Sequence, residues 1–105
     1  MYRGTTPTYT FTLPETVDLT EADKVFVTFA KMSEEIIYTK ENADLTIEAH
    51  SVAVYLTQEE TLALPNGQLK VQLNWLYHQG TLLKRACSNK LVIETNKNLI
   101  DEVLE

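Results

Sequence analysis

Residues 56–77 read Leu56-Thr57-Gln58-Glu59-Glu60-Thr61-Leu62-Ala63-Leu64-Pro65-Asn66-Gly67-Gln68-Leu69-Lys70-Val71-Gln72-Leu73-Asn74-Trp75-Leu76-Tyr77, and this stretch decides the fold. From Leu69 onward the apolar residues occupy every second position: Leu69, Val71, Leu73, Trp75 and Tyr77. Lys70, Gln72, Asn74 and His78 take the other phase, which only Leu76 interrupts. Side chains alternate across a strand, so this pattern predicts a strand with one buried face, and Val71, Leu73 and Trp75 are its core residues. Ahead of it, Thr57 with Glu60 three residues on has the form of a capping box, and Pro65 stops whatever turn of helix begins there. The spacing therefore predicts one short helical crossover over 57–63, a Pro-Asn-Gly break, and then the longest strand.

Working back toward the N-terminus, Thr8 to Leu13 alternates Tyr9, Phe11 and Leu13 against threonines and is closed by Pro14, which predicts a first strand. Pro14 to Asp23 reads as an acidic connection. Lys24 to Met32 is a second strand whose apolar phase is divided between Val25, Val27, Phe29 and Phe26, Thr28, Ala30, as expected of a central strand buried on much of both faces. Further short strands are predicted at 35–40, 44–48 and 51–56, separated by small polar turns. After the central strand, His78-Gln79-Gly80 is read as a hairpin turn, followed by strands at 81–87 and 89–95. Seven or eight strands at this rhythm predict an all-β fold, an immunoglobulin-like antiparallel β-sandwich. The expected organisation is an extended N-terminal arm (1–7), a single sandwich domain (8–95) and a C-terminal amphipathic arm (96–105). In that arm Leu99/Val103 and Ile100/Leu104 are i,i+4 pairs, fitting a short amphipathic helix, capped by Asn98 with Asp101, or an extended apolar arm. Too short to be stable alone, it must pack on something.

Composition narrows the function classes. At 105 residues the chain holds one core, and 9 basic against 15 acidic residues give a net charge of −6. A nucleic-acid backbone or an anionic membrane would be repelled, so neither is expected as a partner. Lys84-Arg85, the only adjacent basic pair, reads as a solvated strand end. No apolar run approaches the ~20 residues of a membrane span, and residues 1–7 carry no apolar signal region. The lone Cys87 excludes an internal disulfide and suits a reducing cytosol.

Searches for chemistry return nothing. The glycines Gly4, Gly67 and Gly80 sit in arms or turns, and no phosphate loop, HExxH, CxxC or calcium-loop pattern is present. His50 and His78 lie at strand ends with no further ligand to complete a metal set. Cys87 reads as a small buried hydrophobe rather than a nucleophile assisted by either histidine. Glu59 and Glu60, adjacent on a helix, point apart and do not form an acid–base pair. Trp75 shares its phase with Leu73 and Val71, so it reads as a core tryptophan rather than a stacking platform. No catalytic, cofactor-binding or metal-binding residue is expected, and the chain reads as a non-enzyme. A ligand-binding module, for instance one that holds carbohydrate, is the alternative; it would need an exposed aromatic platform among Tyr38, Tyr55 and Tyr77.

Four segments together, Arg3-Gly4-Thr5-Thr6-Pro7-Thr8, Leu56-Thr57-Gln58-Glu59-Glu60-Thr61-Leu62, Val71-Gln72-Leu73-Asn74-Trp75 and Asn98-Leu99-Ile100-Asp101-Glu102-Val103-Leu104-Glu105, resemble a group of small phage and prophage proteins of Gram-positive bacteria. The resemblance spans nearly the whole chain and is structural, with no catalytic signature. It implies an immunoglobulin-like sandwich that serves as a structural or accessory protein of the virion, in the tail or baseplate region. It would act in the host cytoplasm during assembly or within the virion itself. In that setting Leu99, Ile100, Val103 and Leu104 are the candidate partner-binding residues, packing on another phage protein or on a second copy, and the Gly4–Pro7 arm adds an extended contact. The competing expectation is that the tail folds back on its own sandwich.

Overall fold

A computed structural model describes residues 1–105. In chain order the elements are β1 (Thr8–Thr12), β2 (Ala22–Lys31), β3 (Ile36–Glu41), β4 (Leu45–Glu48), β5 (Ser51–Tyr55), α1 (Gln58–Leu62), β6 (Gly67–Gln79), β7 (Leu82–Cys87) and β8 (Leu91–Thr95). Short 3-10 turns at Leu19–Glu21 and Asn42–Asp44 complete the regular structure. All pairings between strands are antiparallel, in two sheets. One sheet has the order β1-β5-β4; the other has the order β3-β2-β6-β7, with β8 also on β6. The chain is thus an all-β sandwich with one short helix. No helix is long and apolar enough to cross a membrane.

Strand β6 spans the larger sheet. Its inward row Leu69, Val71, Leu73 and Trp75 is buried, Trp75 retaining 8 % exposure. Its register with β2 sets Val71 opposite Phe29, Leu73 opposite Val27 and Trp75 opposite Val25. Phe11 of β1 and Val52 and Val54 of β5 close over this row from the other sheet, and Leu19, Leu56 and Leu64 fill the ends. Burying each such side chain contributes about 1.5–3 kcal/mol. The divided pattern of β2 resolves accordingly: Val25, Val27 and Phe29 are buried, while Phe26 and Thr28 are half-buried on the outer face. Ala30, in the same outer phase, is buried, so β2 is covered on much of both faces as its divided pattern predicts.

β6 is twice the length of its partners on one side, and β7 and β8 divide that edge. β8 pairs with Gly67–Val71 and β7 with Asn74–Gln79. Between them Ser88 holds Leu73 on both backbone atoms, its N–H donating to the Leu73 carbonyl at 2.9 Å and its Oγ accepting from the Leu73 N–H at 3.0 Å. The β6–β7 turn falls at Gly80-Thr81, with Gly80 at φ 63°, because β6 runs on through His78 and Gln79. Lys84 and Arg85 consequently lie inside β7 rather than at a strand end.

β2 sits between β3 and β6, whereas the immunoglobulin constant-type arrangement has its second strand beside the first and fifth. The cause is local. The tight turn after Lys31, with Glu34 at φ 71° and the Glu34 N–H bonded to the Lys31 carbonyl at 2.8 Å, folds β3 directly onto β2. The acidic connection also contains more than polarity suggests. Asp18 caps the turn at Thr20, and Leu19 points inward with 2 % exposure.

Phase assigns costs. Phe29→Ala should lower stability by about 3–5 kcal/mol in a denaturant titration, whereas Phe26→Ala on the outer face should cost about 1 kcal/mol. Equal losses would mean that the facing of β2 is wrong.

Candidate interaction surface

The two chain ends meet at α1, and each is fastened there by polar groups. Met1 donates its amino group to the Glu94 carbonyl, Asn96 donates its N–H to the Met1 carbonyl at 2.7 Å, and the Arg3 N–H donates to the Asn96 carbonyl at 2.9 Å. The 1–7 arm is therefore a docked segment with a short parallel bridge, Tyr2 to Asn96. Thr61, fully buried in α1, accepts from the Gly4 N–H at 2.9 Å and donates to the Thr5 carbonyl at 2.8 Å. Gly4 sits at φ 84° against the Leu62 side chain, a backbone conformation that a larger residue adopts only with strain. Arg3 then reaches both ways, donating to the Leu62 carbonyl at 2.7 Å and pairing with Asp101 of the tail.

α1 in turn is anchored to the larger sheet. Thr57 and Glu60 form the capping box that their spacing predicts. The same Glu60 oxygen that accepts from the Thr57 N–H also accepts from the Lys40 ammonium at 2.8 Å. Lys40, 9 % exposed, donates further to the Tyr55 carbonyl, and the Tyr38 hydroxyl donates to the Glu60 carbonyl at 3.0 Å. Partial burial raises the Glu60 pKa, but the hydrogen bonds from Lys40 and Thr57 and the lysine's charge outweigh it, leaving the carboxyl below its ordinary value. Burial and the Glu60 charge push the Tyr38 phenol up.

The tail forms neither helix nor strand. Its Asp101 goes to Arg3 instead of capping a helix, and Gln58 holds the Leu104 backbone on both sides, at 2.8 and 2.9 Å. This fixes the path of the main chain while the side chains face outward: Leu99 is 102 % exposed, Ile100 53 %, Val103 38 % and Leu104 59 %. The tail folds back on its own sandwich, held by these polar groups, with Val103 and Ile100 partly covered and Leu99 fully open.

A second surface lies on the outer face of the larger sheet. Phe26, Thr28, Thr39, Asn74, Leu76 and Arg85 line a shallow depression of about 340 Å3. It adjoins one of about 270 Å3 bordered by Glu34, Ile36, Lys70, Gln72 and Lys90. Lys70 and Lys90 both bond one Glu34 oxygen, at 2.9 and 2.6 Å, which holds that carboxyl down at about 2. Arg85 donates Nε and Nη2 to the Asn74 Oδ1 and joins no ion pair.

The other candidates of the sequence reading disperse. Cys87 is exposed on β7 rather than buried, because it pairs with Asn74 and shares that residue's outward phase, while Ala86 beside it pairs with Trp75. The His50 Nδ1 lies 2.6 Å from the Val17 carbonyl, and His78 pairs with Asp23. Tyr38 packs inward on Phe29, Tyr55 is exposed on the smaller sheet, and Tyr77 lies half-buried beside Val17 and Trp75, so the three share no face. Arg3, Lys40 and Thr61 were not singled out in the sequence. Their partners are 98, 20 and 57 residues away, and nothing local marks them. Compared with known protein families, curated proteins and solved structures, the chain finds no match.

Two outcomes follow from this geometry. Thr61→Val, equal in size, strands the Gly4 N–H and the Thr5 carbonyl and should cost about 1–3 kcal/mol of unfolding free energy. An unchanged melting temperature would remove the arm from the fold's support. For pH, the folded-state carboxyls of Glu60 and Glu34 both lie below the ordinary value of 4.5, so the unfolded chain binds these protons more tightly. Their stabilisation is complete above about pH 4.5 and is lost on acidification toward the folded-state values, near 2 for Glu34. A Glu34→Gln/Glu60→Gln variant should show a flatter decline of melting temperature across that window, and an unaltered slope would contradict it.

Proposed function

We propose that this chain is a non-enzymatic interaction protein, a structural or accessory component of a phage or prophage particle in the tail or baseplate region, and that its C-terminal tail is the docking element. The phage assignment rests on the resemblance of the four segments quoted above. The docking role rests on one observation, the tail whose backbone is tied down while none of its four apolar side chains is buried and Leu99 is fully open. A segment packed in cis for stability would turn those side chains inward, because each apolar side chain contributes through the area it removes from water. A tail that holds them outward along a fixed path has already met part of the ordering cost of binding.

Replacing Leu99, Ile100, Val103 and Leu104 together by serine tests the point. Each exposed substitution should change unfolding free energy by no more than about 0.5 kcal/mol, leaving the melting temperature within a few degrees of the parent. A fall of ten degrees or so would make the tail part of the chain's own fold and end the docking reading.

A further inference from the structure

The outer face of the larger sheet matches the tail in charge and in polarity. The chain as a whole carries −6, yet on this face Lys24, Lys70, Arg85 and Lys90 outnumber Glu34, Glu41 and Glu94, and Lys70 and Lys90 share the Glu34 carboxylate. Arg85 faces only the neutral Asn74 amide, which fixes its guanidinium and leaves the remaining N–H groups of the fork free to take a carboxylate. Phe26 and Leu76 provide an apolar floor beside it. The tail has the complementary content. The apolar pairs Leu99-Ile100 and Val103-Leu104 are interspersed with Glu102 and Glu105, which join no ion pair.

Within one molecule the tail and the Arg85 depression lie at opposite ends of β6. The tail leaves β8 beside Gly67, at one end of β6, and is tied at Arg3 and Gln58. Arg85 pairs with Leu76, near the other end of that 13-residue strand. At ~3.3 Å per residue, positions 67 and 76 are roughly 30 Å apart.

Resting on the reading of the tail as a docking element, we propose that its partner is a second copy of this chain, and that the tail of one molecule lies in the Phe26–Leu76–Arg85 depression of the next. Apolar side chains cover the floor, and Glu102 or Glu105 pairs with Arg85 and the Lys70–Lys90 cluster. Such a contact joins unlike surfaces, so it propagates as a ring or a file of subunits rather than closing as a two-fold dimer.

Sedimentation equilibrium on the intact chain, read with two charge-reversed variants, tests this. The parent should gain mass with concentration and lose at least tenfold in association constant as salt rises from low to high ionic strength. Arg85→Glu/Lys90→Glu and Glu102→Lys/Glu105→Lys should each remain monomeric alone, and should associate when mixed, because the reversed face accepts the reversed tail. Circular dichroism confirms that each variant is folded, and Arg85→Gln gives a milder check on the face. A parent that stays monomeric up to millimolar concentration overturns the proposal, as do variants that associate like the parent or fail to associate when mixed. If the serine-substituted tail keeps its melting temperature while the parent is monomeric, the second copy is ruled out but the docking tail stands. A collapse of that melting temperature removes the docking reading itself.

Discussion

The pairing of β2 with β6 is the constraint on which the rest of the molecule depends. It is the longest run of paired backbone in the chain, and its register places Val25, Val27 and Phe29 against Trp75, Leu73 and Val71 on a single face. A slip of either strand by one residue would turn its own apolar row to solvent, presenting Phe26 and Thr28 of β2 or Lys70 and Asn74 of β6 to the core, so burial itself locks the register. Once these two strands are set, the remaining assignments have little freedom. The Glu34 turn lays β3 on the free side of β2, the Gly80 turn lays β7 on β6, and the smaller sheet covers the apolar rows that remain open.

At its α1 end the sandwich is closed by polar contacts as well as by the buried Leu56 and Leu64. Lys40, Glu60, Thr61 and Arg3 form a chain of hydrogen bonds and ion pairs that ties β3, α1, the N-terminal arm and the tail into one unit. Groups of this kind stabilise only when their partners are present, since an unpaired buried donor or acceptor carries a desolvation cost. Such a network specifies how the termini are seated more than it adds to total stability.

The extent to which the chain could be read before its coordinates follows from the range of each interaction. Alternation in β6 and β1, the capping box at Thr57 and the stop at Pro65 are local, and all eight strands and the helix stand where those patterns placed them, within a few residues. The order of strands within the sheets was harder. It depends on the turn after Lys31, in which Glu34, a non-glycine residue, takes a left-handed conformation that its identity does not announce. The tail's extended, folded-back course was among the alternatives its sequence left open, but the contacts that seat it were not legible: Asp101 goes to Arg3, far away in the chain, instead of capping a helix. Cys87 faces outward because it stands opposite Asn74, a phase that the run Leu82-Leu83-Lys84-Arg85, with no alternation of its own, does not announce.

The division of the β6 edge between β7 and β8 has its own consequence. Beyond Trp75 the hairpin is supported by its own ladder and by the first residues of β2, where a bulge at Asp23 interrupts the pairing. Ser88 clamps Leu73 at the point where this projecting part joins the body. The molecule therefore has two tiers of protection against solvent. Its distal finger can open as a small cooperative unit with little loss of buried area, while the amides around Leu73 exchange only when the whole fold gives way.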